Sequence, residues 1–103
     1  MNYISPKELK QRIQDGEEIQ IIDCREEHEI VICSINGTHI PMDEIIGRKN
    51  EIRQDIPVVI HCRSGQRSAA VIHTLITKFG FTNLLNLRGG IVGWAQEVDN
   101  SLE

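Results

Sequence analysis

Within this chain of 103 residues, one stretch concentrates groups that could do covalent chemistry: Cys62-Arg63-Ser64-Gly65-Gln66-Arg67-Ser68. It follows the apolar run Pro57-Val58-Val59-Ile60-His61 and leads into a helical pattern. A short loop feeding a helix N-terminus turns several backbone N–H groups into one hollow. Those donors and the positive end of the helix dipole make an anion cradle. A cysteine on the rim of such a cradle is favoured as thiolate, so the Cys62 pKa is expected to be depressed. Arg63 and Arg67 add positive charge. Gly65 lets the backbone turn without a Cβ in the way, and Ser64 and Ser68 can donate hydrogen bonds or cap the helix. The assembly suits a nucleophile, Cys62, that attacks an anionic substrate and carries a group on sulfur. Arg63, Ser64, Gly65, Gln66, Arg67 and Ser68 are the expected substrate-binding residues.

Loop length narrows the chemistry. Phosphatases of the cysteine-thiolate class use a Cys-x5-Arg loop, wide enough for a tetrahedral phosphoryl group. Four residues separate Cys62 from Arg67. The tighter loop better suits a single terminal sulfur on the cysteine, a persulfide.

The elements that must position this loop can be read from pattern. Pro57 to His61 is the clearest strand, and Ser68 to Lys78 the clearest helix, with Ala69, Val71, Ile72, Leu75 and Ile76 at helical spacing. Ser5-Pro6-Lys7-Glu8 starts a helix through a capping serine, a first-turn proline and a capping-box glutamate. Ile19 to Asp23 reads as a buried strand, Arg25 to Ile30 as a short charged helix, and Met42 to about Ile52 as another helix with Ile45 and Ile46 inward. His39-Ile40-Pro41 reads as extended, because the residue before a proline avoids the helical region. Leu84 to Leu87 is a strand, Arg88-Gly89-Gly90 a turn, and Ile91 to about Val98 a closing helix around Trp94. Strands alternating with helices in a chain of this size predict one α/β domain over residues 1–103, with a parallel sheet and helices on both faces. In such sheets ligands bind beyond the carboxyl ends of the strands, where Cys62 falls.

Composition sets the outer bounds. Lys and Arg number 11 against 15 Asp and Glu, a net charge of −4, which argues against a nucleic-acid binder with a basic stripe. No apolar run approaches the ~18 residues of a membrane span. The N-terminal residues lack the basic and apolar regions of a secretion signal. The three cysteines are an odd number with no Cys-x-x-Cys pair, so free thiols in a reducing, cytoplasmic compartment are expected, with no metal site.

At this point the sequence resembles the rhodanese family of sulfurtransferases, over nearly its whole length. The matching segments are Ile4-Ser5-Pro6-Lys7-Glu8-Leu9, then Ile21-Ile22-Asp23-Cys24-Arg25-Glu26-Glu27-His28-Glu29, then His39-Ile40-Pro41. They continue through the Cys62 loop to Asn86-Leu87-Arg88-Gly89-Gly90-Ile91-Val92-Gly93-Trp94, similar to the family's closing motif. The resemblance implies a three-layer α/β domain with a mostly parallel sheet of about five strands and helices on both faces. It also implies a mechanism: the Cys62 thiolate takes a sulfane sulfur from a donor such as thiosulfate or a protein persulfide. It then passes the sulfur to cyanide, a small thiol or a protein acceptor. The persulfide itself carries the group, so no cofactor is expected. The segment Gly90 to Asp99, with Ile40 to Ile45, is most similar to the C-terminal rhodanese domains of adenylyltransferases that serve molybdopterin and thiamine biosynthesis.

Other residues read more plainly. Cys24 stands where the family usually carries Val, and a core cysteine is expected there. The sharper alternative, a second thiol that resolves a Cys62 persulfide, requires the two sulfurs to be neighbours. Cys33 is expected to be buried or incidental. Asp23 and Arg25 form a short-range charge pair that should orient nearby loops. His61 precedes the nucleophile, but strand neighbours point to opposite faces, which makes it a poor base for Cys62. His39 should be packed and hydrogen-bonded, His28 and His73 surface residues, and Trp94 a core anchor. Two other functions share parts of this pattern. A non-catalytic rhodanese-fold binding module would usually lack the loop cysteine, and a cysteine phosphatase or arsenate reductase would need a longer loop.

Overall fold

A computed structural model describes residues 1–98 of the chain; residues 99–103, including Asp99 of the closing resemblance, lie outside the description. Strand β1 (Tyr3–Ile4) leads into helix α1 (Pro6–Gln14), where the Ser5 Oγ accepts from the Glu8 N–H at 3.1 Å. Only the serine half of the expected capping box forms, and the Glu8 carboxylate lies 3.9 Å from Arg12, one turn on. Next come β2 (Gln20–Asp23), the single turn α2 (Glu27–Ile30) and β3 (Thr38–His39). The remaining regular elements are β4 (Val58–His61), α3 (Gln66–Phe79), β5 (Leu84–Leu87) and α4 (Gly90–Glu97).

The five strands form one sheet in the order β1-β5-β4-β2-β3, with every pairing parallel. Because strand side chains alternate, the sheet sorts its residues onto two faces. On one face Ile22, Cys24, Val58, Ile60, Cys62 and Leu84 pack under Val71, Ile72 and Leu75 of α3. On the other, Ile4, Val59 and Leu87 meet Leu9 of α1, with Trp94 of α4 alongside. This is the three-layer arrangement expected, and Trp94 takes the packing role assigned to it. Leu75 is fully buried at the centre of the α3 face, so its loss to alanine should cost about 2–5 kcal/mol.

Two elements differ from the sequence reading. The expected helix from Met42 to Ile52 is instead a chain of tight turns, with 3₁₀ segments at Met42–Glu44 and Lys49–Glu51. Bonds of the i to i+3 type recur, from Ile45 N–H to the Met42 carbonyl and from Ile52 N–H to the Lys49 carbonyl. Gly47 weakens the helical alternative, and the tighter path still buries both Ile45 and Ile52. Helix α3 begins at Gln66, two residues before the expected start, because Gly65 adopts φ +109° immediately before it. The loop proper therefore shrinks to Cys62–Gly65, and Gln66, Arg67 and Ser68 form the first turn of the helix.

Candidate active site

Cys62 follows the last residue of β4, on the face covered by α3, and is 1% exposed. Two N–H groups donate to its Sγ, Gly65 at 3.1 Å and Ser68 at 3.5 Å, and the Ser68 Oγ lies 3.4 Å away, where either the hydroxyl or the thiol can be the donor. Burial alone pushes the thiol pKa up. The Ser68 hydroxyl and the backbone N–H groups of Ser68, Gly65 and Ser64 outweigh that, and Cys62 sits below the usual thiol value.

Beneath this cradle lies a residue that sequence reasoning placed only as part of a strand. The Ser68 Oγ–H can be donated to Asn86 Oδ1 at 2.7 Å, and Asn86 Nδ2 donates to the Gly65 carbonyl at 3.2 Å. Asn86 is 1% exposed and Ser68 is fully buried. One side chain from β5 thus holds both ends of the turn that supplies the donors to Cys62. The signal was visible in Leu84-Leu85-Asn86-Leu87, where a polar residue interrupts an apolar strand on the side facing α3. A buried polar group needs a partner, and here the partners are the loop itself.

The loop is also supported from the α4 side. The Ile91 N–H donates to the Cys62 carbonyl at 2.9 Å, and the Val92 N–H to the Arg63 carbonyl at 3.1 Å. The close approach requires Gly90, since a Cβ there would stand 2.5 Å from both the Cys62 and Arg63 carbonyl oxygens. The Arg88-Gly89-Gly90 turn is therefore part of the site's frame.

Arg63, Ser64 and Gln66 are exposed around Cys62. Arg67 is half-buried and turned to Glu29 of α2, with Nη1–Oε1 at 2.7 Å and Nη2–Oε2 at 2.9 Å. That bidentate hydrogen bond brings the Glu29 pKa down to about 2 and raises that of Arg67. Arg67 thereby braces α2 against the start of α3, and Glu29 is a second residue near the site whose place sequence pattern did not reveal.

Asp23 and Arg25 form a buried ion pair, Nη2–Oδ2 2.7 Å, and Arg25 Nη2 also donates to the Cys33 carbonyl at 2.8 Å. The pair fastens the end of β2 to the segment after α2, the orienting role expected of it. Burial pushes the Asp23 pKa up, but the Arg25 bonds prevail and hold it below the usual carboxylate value. His39 Nε2 is 2.7 Å from the Arg25 carbonyl oxygen. His61 is fully buried on the face opposite Cys62, with Nε2 3.7 Å from Asp23 Oδ2. Burial lowers its pKa, outweighing the opposite pull of Asp23, so the ring is neutral. Its direction away from Cys62 agrees with the strand alternation. Cys24 is fully buried in the core, as expected, while Cys33 is only half-buried, with its Sγ 3.8 Å from Arg25 Nη1. His28 and His73 are exposed. Among the described residues, no three of His, Cys, Asp and Glu gather as a metal-binding group, and no helix is long and apolar enough to cross a membrane.

Comparison with known proteins places this geometry in context. Residues 5–97 match the model of the rhodanese-like domain. A sulfurtransferase of Allochromatium vinosum is 40% identical over 97 residues, which cover 93% of this chain and 90% of that protein. The probable adenylyltransferase/sulfurtransferase MoeZ of Mycobacterium tuberculosis is 32% identical over 98 residues, 92% of this chain but 25% of that longer protein. Among solved structures, a rhodanese-like domain protein from Staphylococcus aureus superposes with a TM-score of 0.84 at 31% identity, covering 95% of each chain.

Proposed function

Since the chain belongs to the rhodanese-like domain family, we propose that it is a sulfurtransferase working through a persulfide on Cys62. The observation that carries this reading is the convergence of the Gly65 N–H, the Ser68 N–H and the Ser68 hydroxyl on one buried sulfur. The two N–H groups favour the thiolate before substrate arrives and need not reorganise as sulfur is transferred, and the Ser68 hydroxyl can turn to the sulfur when it ionises. In the first half-reaction the Cys62 thiolate attacks the outer sulfur of thiosulfate. A Cys62 sulfur–sulfur bond forms, the sulfur–sulfur bond of thiosulfate breaks, and sulfite leaves with the electron pair. In the second, cyanide or an acceptor thiolate takes the outer sulfur and the Cys62 thiolate is restored. A protein persulfide can replace thiosulfate as donor in the same scheme.

The 1% exposure of Cys62 supports a slender reacting atom, a terminal sulfur, over a phosphoryl group. Arg67, which a phosphatase would aim at the anion, is instead committed to Glu29, leaving the exposed Arg63 as the cation available to an anionic donor. The test is intact-protein mass spectrometry after thiosulfate. Wild type should gain ~32 Da, lose it on adding cyanide or dithiothreitol, and gain nothing as Cys62→Ser. A binding module would keep its partner through that substitution and take up no sulfur in either form.

A further inference from the structure

Cys24 and Cys62 are neighbours across the sheet. The parallel register of β2 and β4 runs from Gln20 opposite Val58 to Asp23 opposite His61. One residue further on, the Cys24 N–H donates to the His61 carbonyl at 3.0 Å, which continues the ladder and sets Cys24 beside Cys62. Both side chains point to the α3 face, in one buried cluster with Ile22 and Ile60. The Cys24 thiol leans toward β4, with its Sγ 3.3 Å from the His61 carbonyl oxygen. Adjacent strands lie about 4.8 Å apart, inside the roughly 4.4–6.8 Å range of Cα separations that disulfides span.

We propose that Cys24 is a resolving thiol: when a hydroperoxide oxidises Cys62, Cys24 closes a Cys24–Cys62 disulfide within the core. The proposal rests on the reading of Cys62 as a reactive thiolate, and it adds a reaction that sulfur transfer does not require. In the first step the thiolate attacks the hydroperoxide. Its sulfur loses two electrons to the oxygen–oxygen bond, giving the Cys62 sulfenic acid and an alkoxide or hydroxide. In the second, the Cys24 sulfur attacks the Cys62 sulfur, the sulfenic oxygen leaves as hydroxide, and the Cys24 proton joins it as water. A dithiol reductant restores both thiols.

The resting state keeps the two thiols distinct. Burial, then the nearby Cys62, pushes Cys24 up to about 12, so it stays a thiol, whereas the donors around Cys62 hold its pKa below the usual thiol value. The sulfenic acid carries no charge, so oxidation of Cys62 removes one of the three influences that keep Cys24 protonated, leaving burial and the Asp23 charge. Cys33 is no competitor in this geometry: it lies on the segment after α2, held by Arg25 rather than placed in the β2–β4 register.

The experiment compares wild type, Cys33→Ser and Cys24→Val after hydrogen peroxide, by intact mass and by mapping peptides under non-reducing conditions. Wild type and Cys33→Ser should lose about 2 Da and show the peptide of Cys24 joined to that of Cys62. Cys24→Val should instead gain about 32 or 48 Da on Cys62, the sulfinic and sulfonic forms. Formation of the sulfinic acid at equal rates with and without Cys24, or a Cys33–Cys62 link in wild type, overturns the proposal. A parallel sample without peroxide is tested for cyanide-reversible sulfur uptake from thiosulfate. Uptake without the disulfide sinks this inference alone, whereas the disulfide without uptake sinks the sulfurtransferase reading and leaves this one standing.

Discussion

Ser68→Ala isolates the one donor to Cys62 that is not backbone. The Ser68 hydroxyl has a single proton and two possible acceptors, Asn86 Oδ1 at 2.7 Å and the Cys62 sulfur at 3.4 Å. With Cys62 as thiol, the proton goes to Asn86 and the Cys62 S–H can donate to Oγ. When Cys62 ionises, the hydroxyl must turn to the sulfur and Asn86 Oδ1 loses its partner. A hydrogen bond to a charged acceptor contributes about 1.5–3 kcal/mol, and leaving a buried acceptor unpaired costs about 1–3 kcal/mol. The hydroxyl's net preference for the thiolate therefore lies at the low end, about 1 kcal/mol, or roughly fivefold in thiolate fraction. The assay is the rate of Cys62 alkylation by iodoacetamide as a function of pH, followed on the Cys62 peptide so that Cys33 does not contribute. The midpoint should move to higher pH, and the rate at pH values below the wild-type midpoint should fall about fivefold, while the plateau at high pH stays near that of wild type. A midpoint that stays or moves down would show that the backbone N–H groups hold the thiolate without the hydroxyl, and the relay through Ser68 would be wrong.

Two further outcomes are expected. Gly90→Ala should fail to hold the native loop, because its Cβ would meet two carbonyl oxygens at 2.5 Å in a backbone already at φ +59°. Gly16→Ala, also at positive φ but with nothing within 4 Å, should cost only about 1 kcal/mol, and thermal unfolding of the pair checks the contrast. His61 is held neutral by burial, so the unfolded chain binds a proton that the folded chain refuses once pH falls below about 6.5, and stability drops by up to about 1.4 kcal/mol per pH unit there. His61→Leu should remove that slope, so that its stability advantage in denaturant titrations grows from pH 7 to pH 5; a constant gap would refute the assignment.

What could be read from sequence was what local pattern determines. The strand before Cys62, the glycine that turns its loop and the helix that follows all lie within one contiguous segment, so their placement needs no knowledge of the rest of the chain. Alternation along β4 was enough to turn His61 away from Cys62. The Met42–Ile52 segment misled because an adjacent apolar pair, Ile45-Ile46, can face inward from a helix, whereas the run of tighter turns buries Ile45 and Ile52 and leaves Ile46 only partly covered. Burial decides between them, and burial is tertiary. Asn86 and Glu29 were out of reach for the same reason. Asn86 becomes part of the site only when β5 lies beside β4, 24 residues after Cys62 in the chain. Glu29 matters only once α2 is brought against the first turn of α3.

The two faces of the sheet divide the ionisable groups into sets that do different work. On the α3 face the polar side chains near Cys62 are neutral: the Ser68 hydroxyl beside its sulfur, the amide of Asn86 that holds Ser68 and Gly65, and the thiol of Cys24, turned to the His61 carbonyl. A formal charge buried there would compete with the thiolate for the same few donors. The Asp23–Arg25 ion pair and the neutral His61 stand on the opposite face, where the pair fixes the end of β2 without entering the cradle. Arg67 and Glu29 bring formal charge to the mouth of the site as a pair, beside the solvent-exposed Arg63. Their opposite charges largely cancel over distance, so the thiolate is stabilised by directed hydrogen bonds rather than by a general positive field. A site built this way should keep its low thiol pKa in high salt, because short donors to a buried sulfur are screened far less than exposed charges.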